Sequence, residues 1–284
     1  MSRVEGGGAG ADGMKAIESE VWRPAEIGPL MRRSMFELMS RYYEAIDEKA
    51  FTDDMLEKDV VIVLRRNDEI VGFTTASYDD LQVAGRPIRL LFSGDTIVVP
   101  ELWGPGYIMH TSFRLAGNLK ASRPDLPLYW LLVVMSHRTY RILSTFCRDF
   151  VPRIGKANDD GMMMIRDVVA RRRFDRFYDP ATGLIDFGES RGHLRSTLQN
   201  EEDKAEGNRV VREFMALNPH CARGVELACL AELSEQNLRS YARERFLEGL
   251  HEGAGIFGTP DVSLADRGPV SERASQAHRA RDAG

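Results

Sequence analysis

Residues 97–106 read Ile-Val-Val-Pro-Glu-Leu-Trp-Gly-Pro-Gly. Three β-branched residues in a row run into a proline, which cannot donate to a ladder and so stops a central strand. A short stretch with two glycines follows, and from Tyr107 to Lys120 apolar residues recur at helical spacing. The segment therefore reads as a strand, a tight loop and a helix N-terminus in immediate succession. That order turns unpaired helix N–H groups toward the end of a sheet.

Upstream, residues 88–99 (IRLLFSGDTIVV) read as one long strand, or as two joined by a bulge at Ser93-Gly94. Residues 79–87, with Gly85, read as a loop. Residues 60–65 begin with the run VVIVL, and the polar tetrad Arg66-Asn67-Asp68-Glu69 turns them into a second strand over 70–78. A helix over 30–50 places Met31, Met35, Leu38, Met39, Tyr42 and Ile46 on one face. Downstream, 128–135 (LYWLLVVM) reads as a fully buried strand, followed by helices over 139–150 and 162–174. A helix, a meander of three or four strands, then helix, strand and helix imply an α/β (α+β) fold. Its central sheet is mixed, mostly antiparallel and flanked by helices.

Residues 1–13 and the tail 258–284 hold almost no large apolar side chains and read as disordered. Between them, 14–188 reads as one main unit and 189–257 as a small, mainly helical C-terminal extension. That extension contains a candidate strand over 225–233 and a helix capped by Ser234 and running to 250. No apolar run approaches the ~20 residues of a membrane span, and the N-terminus lacks the apolar stretch of a signal peptide. Three cysteines in 284 residues are no disulfide framework, so the cytoplasm is the expected compartment. A net charge of −5 argues against general nucleic-acid binding.

The strand ending in Pro100-Glu101, followed by Gly104-Pro105-Gly106 and a helix, resembles the Gcn5-related N-acetyltransferase (GNAT) superfamily. The 58–76 hairpin and the 128–153 strand–helix unit resemble neighbouring parts of that fold, so the likeness covers about 30–153. The resemblance implies an N-acyltransferase that moves an acyl group from a thioester, acyl-CoA or acyl carrier protein, to a small-molecule amine by direct attack. In that fold two strands splay apart, the donor's pantetheine lies between them as a pseudo-strand, and loop amides hold its phosphates. The resemblance assigns donor binding to Val98, Val99, Leu102, Trp103, Gly104, Gly106 and Tyr107, with an amide of Val98 or Val99 facing the developing oxyanion. The family's loop usually opens on Gln or Arg and carries a basic residue before its first glycine. Glu101 and Trp103 stand there instead. That departure suits a carrier-bound donor, as in the long-chain N-acyl amino acid and acyl-homoserine-lactone synthase branches, or a catalytically inactive GNAT-shaped binding or regulatory protein.

Asp95 and His137 are the best-placed titratable groups for the general base, with Glu101 and His110 behind them. Tyr140 is the candidate general acid on the helix after the buried strand. Arg138, Arg141, Arg148 and Arg153 form a basic track that would suit an acidic carrier protein. Asn218-Pro219-His220-Cys221 matches no zinc spacing, so no metal is expected. The C-terminal segment either covers the acceptor site or forms a dimer face.

Overall fold

The computed structural model describes residues 17–103, 106–188 and 209–258, with the backbone of Ser2–Val4 and His193–Leu194. In chain order the elements are β1 (Ser2–Val4), β2 (Ile17–Trp22), α1 (Pro29–Tyr42), β3 (Tyr43–Glu44), α2 (Glu48–Leu56), β4 (Val60–Arg66), β5 (Glu69–Val83) and β6 (Arg86–Val98). There follow α3 (Tyr107–Ser122), β7 (Leu128–Val134), α4 (His137–Phe146), α5 (Asp160–Phe174), β8 (Tyr178–Asp179) and β9 (Leu184–Ile185). The last are β10 (His193–Leu194), α6 (Arg209–Leu217), β11 (Glu226–Glu232) and α7 (Ser240–Glu252). Nine strands form one sheet in the order β1-β2-β4-β5-β6-β7-β11-β9-β8. Only β6 and β7 run parallel, so the sheet is mixed and mostly antiparallel with helices on both faces. Strand β10 pairs with β3 in a separate ladder.

Strand β4 lies mid-sheet, and its Val60–Leu64 run is buried on both faces. The 66–69 tetrad makes the expected turn, with Asn67 at φ 61°. The expected loop over 79–87 does not form. Leu81, Val83, Ile88 and Leu90 all face inward on α5, so the hairpin continues to a tight turn at Ala84-Gly85, both with positive φ. The single helix expected over 30–50 also divides. The chain leaves α1 in extended conformation at Tyr43, and Asp47 caps a second helix by accepting from the Ala50 N–H at 2.8 Å. Phe51 of α2 then packs edge-on against Phe73.

Within the segment read as a C-terminal extension, Glu226–Glu232 is a strand of the central sheet itself. Strand β11 lies between β7 and β9, pairing from Leu227↔Val134 to Glu232↔Tyr129. A buried strand such as β7 needs a hydrogen-bonding neighbour on each edge, and β11 supplies the second one. The C-terminal helix begins at Ser240 rather than Ser234. Ser2–Val4, expected as disordered, pairs with the open edge of β2. The tail 259–284 and most of 189–208 lie outside the described residues, as do residues 5–16.

Helix α7 packs on α3 with the two backbones in contact. A Cβ on Gly117 would overlap the Phe246 carbonyl, and one on Gly249 would overlap the Arg114 carbonyl. Asn118 donates to the carbonyls of Gly249 and Gly253, each at 2.8 Å. This contact tethers the C-terminal helix to α3, the helix that follows the 97–106 stretch. Gly249→Ala should therefore force the helices apart and cost ~1–3 kcal/mol, lowering the melting temperature by several degrees. Gly28→Ala, where a Cβ meets nothing within 4 Å, should leave it nearly unchanged. Thermal unfolding followed by circular dichroism checks both.

Candidate active site

Strands β6 and β7 pair only from Arg89↔Leu128 to Ser93↔Leu132. The Trp130 indole N–H donates to the Ser93 hydroxyl at 2.8 Å and ties the strands together at that last pair. Beyond it β6 runs on to Val98 beside β5 alone. The cause is a bulge. Ala76 pairs with Ser93 and Thr74 with Thr96, so Gly94 and Asp95 stand opposite the single residue Thr75. Only glycine fits the first position, because a Cβ on Gly94 would overlap the Thr75 hydroxyl and come within 2.8 Å of Lys58 Cε. The sequence places this bulge one residue early, at Ser93-Gly94.

Past the bulge the ladder decides which groups are free. The Val99 N–H donates to the Val71 carbonyl at 2.9 Å, so the backbone groups of Val98 turn the other way, toward β7. Of the two amides considered for the oxyanion, the Val98 N–H is the one that faces the open wedge. The Val98 carbonyl accepts the Trp103 indole N–H at 2.7 Å, and the Arg138 guanidinium of α4 lies 4.0 Å over that indole ring. Trp103 and Arg138 thus span the wedge from β6 to the helix after β7. The Leu102 N–H is used within the loop, donating to the Val99 carbonyl at 2.9 Å. Gly106 and Tyr107 are exposed at the N-terminus of α3, where the first-turn N–H groups have no intrahelical partner. Gly104 lies outside the described residues.

Asp95 lies on the sheet face covered by α2. Beside it Lys58 is buried, with its ammonium 2.6 Å from the Asp54 carboxylate. Burial pushes the Asp95 carboxyl up to about 6, and the neighbouring Asp54 charge adds to this while Lys58 opposes it. His137 stands on the other lip of the wedge, in the first turn of α4. Burial and then the Arg138 and Arg141 charges hold it below the usual histidine range. Tyr140 does not join them. It is fully buried, and its hydroxyl lies 3.0 Å from the Pro152 carbonyl and 3.1 Å from Glu213 Oε1. Burial raises its pKa far above the ordinary tyrosine value, so it braces α4 against α6 and carries no proton to the wedge. His110 faces Arg245 of α7 at 3.3 Å. Cys147 is a core residue, its thiol pushed up to about 12 by burial.

Sequence reading missed Lys58, Asp54 and Thr75. Asp54 and Lys58 have the i,i+4 spacing of an ordinary surface pair, and nothing in the spacing says that the lysine is buried. The glycine inside an apolar strand was the signal available for Thr75. Among the described residues no group of three or more His, Cys, Asp or Glu side chains could hold a metal ion. No helix among them is long and apolar enough to cross a membrane.

No known family pattern matches the chain, and no curated protein does. Similar solved structures include a GCN5-related N-acetyltransferase from Kribbella flavida, with 13% identity over 46% of this chain and 33% of that one, at a TM-score of 0.34. An acyl-CoA N-acyltransferase from Pseudomonas aeruginosa shows 14% identity over 46% of this chain and 88% of that one, at 0.34. NAA60 from Arabidopsis thaliana, in complex with acetyl-CoA, shows 15% identity over 50% and 92%, at 0.32. The matched region spans about a third of the Kribbella flavida chain.

The indole on Val98 generates one prediction. Trp103→Phe keeps an aromatic ring beside Arg138 but frees the Val98 carbonyl. A ligand that pairs with this edge no longer displaces a bond worth ~0.5–1.5 kcal/mol. With acetyl-CoA titrated as the probe of such a ligand, calorimetry should show the variant binding several-fold more tightly than the unsubstituted chain. Weaker binding would make the indole part of the surface that holds the ligand.

Proposed function

We propose that this chain is an N-acyltransferase of the GNAT kind, transferring an acyl group from a thioester donor to an amine, with Asp95 as the general base. One observation carries the reading. The bulge that frees the Val98 edge toward β7 also sets the Asp95 carboxyl, pushed up to about 6 by burial, three residues before Val98 on the same strand. An extended, amide-bearing arm fits the free edge as an added strand. A base poised at about 6 is deprotonated at pH 7 yet still basic enough to take a proton from the acceptor amine as it attacks.

In this reading Val98 orients the donor, and its N–H bonds the carbonyl oxygen as negative charge develops there. Asp95 accepts the proton of the amine as the C–N bond forms. The C–S bond breaks, and the thiolate leaves and takes a proton from solvent. No side chain is acylated. A carrier-bound donor is the finer version of the proposal, supported by Arg141 and Arg148, which are exposed on and just beyond α4. The alternative, a GNAT-shaped binding protein without catalysis, predicts no thiol release with any amine.

Asp95 supplies the test. With acetyl-CoA and an amine panel, kcat/KM for thiol release should rise with pH through about 6, as the base loses its proton. Asp95→Asn should lower it ~10²–10⁴-fold. An acid whose folded pKa is raised binds its proton more tightly in the fold than in the unfolded chain. It therefore lowers stability above about pH 6, and the penalty fades as pH falls toward 4. Asp95→Asn should consequently raise the melting temperature at pH 7.5 and raise it less at pH 4.5. Full activity in a well-folded Asp95→Asn protein would remove Asp95 from the mechanism.

A further inference from the structure

A cavity of about 820 Å³ lies on the sheet face covered by α5, at the end away from the wedge. Val83 of β5, Ile88 of β6, Tyr129 of β7 and Glu232 of β11 form its floor, and Met162 and Ile165 of α5 close over them. Glu232 shares this face because it alternates with Ala228 and Leu230, both packed under α5. Leu90 pairs with Tyr129, so the floor sits five residues ahead of Asp95, ~16 Å back along β6. The cavity is therefore separate from the wedge, and its volume is that of a small-molecule site.

Charge along the walls is settled almost everywhere. Lys156 pairs with Asp149, and the Asp159 carboxylate caps α5 by accepting the Met162 N–H at 2.7 Å. The Arg153 guanidinium lies 4.8 Å over the Phe150 ring and donates to the Arg148 carbonyl at 3.1 Å. Arg86 is exposed at the far, apolar end, where it pairs with Val83 beside the tight turn. Glu232 is the exception. Its half-buried carboxylate makes no hydrogen bond or ion pair among the described residues. Lys120 is the cation that acts on it, and that ammonium donates instead to the Pro124 and Leu126 carbonyls. Burial consequently pushes the Glu232 carboxyl above its usual range. Tyr129 stands directly opposite Glu232 in the ladder, and its hydroxyl has no hydrogen-bond partner among the described residues either.

We propose that this cavity binds a small primary amine with a hydrocarbon body, its ammonium seated between Glu232 and Tyr129. Side chains directly opposite on paired strands stand ~4.5–5.5 Å apart at Cβ, and an ammonium brings three donors for the carboxylate and hydroxyl oxygens. The hydrocarbon lies along Ile88, Met162 and Ile165. Arg86 at the other end repels a cation and so fixes which way round the amine binds. From β11 to β6 the floor spans two strand spacings, ~9.6 Å, the reach of a six-carbon chain. The site stands whether or not the chain transfers acyl groups.

Three probes of equal length, 1-hexylamine, 1-hexanol and hexanoate, test the site in the full chain. In methyl NMR, hexylamine should shift the Met162 and Ile165 signals. Hexanol should move them only at tenfold higher concentration, and hexanoate at higher concentration still. The hexylamine affinity read from those signals should fall at least tenfold in Glu232→Gln and stay unchanged in Asp95→Asn. Equal affinity for amine and alcohol would overturn the assignment. So would Met162 and Ile165 signals that hexylamine leaves unmoved in the unsubstituted chain, a result that decides even where Glu232→Gln does not fold. An amine affinity that follows Asp95 rather than Glu232 would move the amine to the acceptor position, overturning this site while leaving the acyl-transfer reading intact.

Discussion

A strand inside a sheet can serve both neighbours only while it keeps register with both. At Gly94 and Asp95, β6 carries one residue more than β5. From there it stays with β5 and parts from β7, whose last pair with it is Ser93↔Leu132. The extra residue has three consequences. It frees the backbone edge at Val98, it needs a glycine where the Thr75 hydroxyl and the Lys58 chain press in, and it turns the Asp95 carboxyl toward α2. The free edge and the Asp95 carboxyl are thereby set by one backbone irregularity, so that moving either requires moving the other.

The irregularity is costly, and the surrounding structure offsets it. An ionised Asp95, a buried Lys58 and the unbonded hydroxyls of Thr75 and Ser77 all oppose folding. Around them lie the strongest packing features of the chain: the doubly buried β4, the insertion of β11 beside β7, and the backbone contact of α3 with α7 through Gly117 and Gly249. The C-terminal segment matters for this reason. It supplies the second edge partner of β7, and through α7 it fixes the helix whose N-terminus opens on the wedge. The Tyr241 hydroxyl donates to the Gly106 carbonyl at 3.1 Å and adds a direct tie to that N-terminus.

Much of the fold is legible in the chain. The VVIVL run, the Arg66–Glu69 turn and the strand–loop–helix order around Pro100 each follow from local chemistry, and each element stands where that chemistry puts it. Legibility fails where distant partners decide. Ile17–Trp22 mixes polar and apolar residues and becomes a strand because β4 needs a second neighbour. The 30–50 segment has one continuous helical stripe, yet Asp47 starts a new helix because Phe51 finds Phe73. In the site, strand and motif name Asp95, Val98 and Trp103 as candidates. Lys58 and Thr75 are not named, because burial of a polar side chain is set by elements far away in sequence. Tyr140 was misread for the same reason: spacing put it on the helix beside the buried strand, but Glu213 and Pro152, far along the chain and across it, hold its hydroxyl in the core.

The central claim is that β6 beyond the bulge offers its backbone to a donor as a free edge, and amide hydrogen exchange at single residues reads this directly. In the free chain the amides of Ile97 and Val99, which point to β5, should exchange slowly, and those of Thr96 and Val98 quickly. Saturating acetyl-CoA should then protect Val98 while leaving Val99 unchanged. Slow exchange at Val98 in the free chain, or no change there with acetyl-CoA bound, would contradict the account.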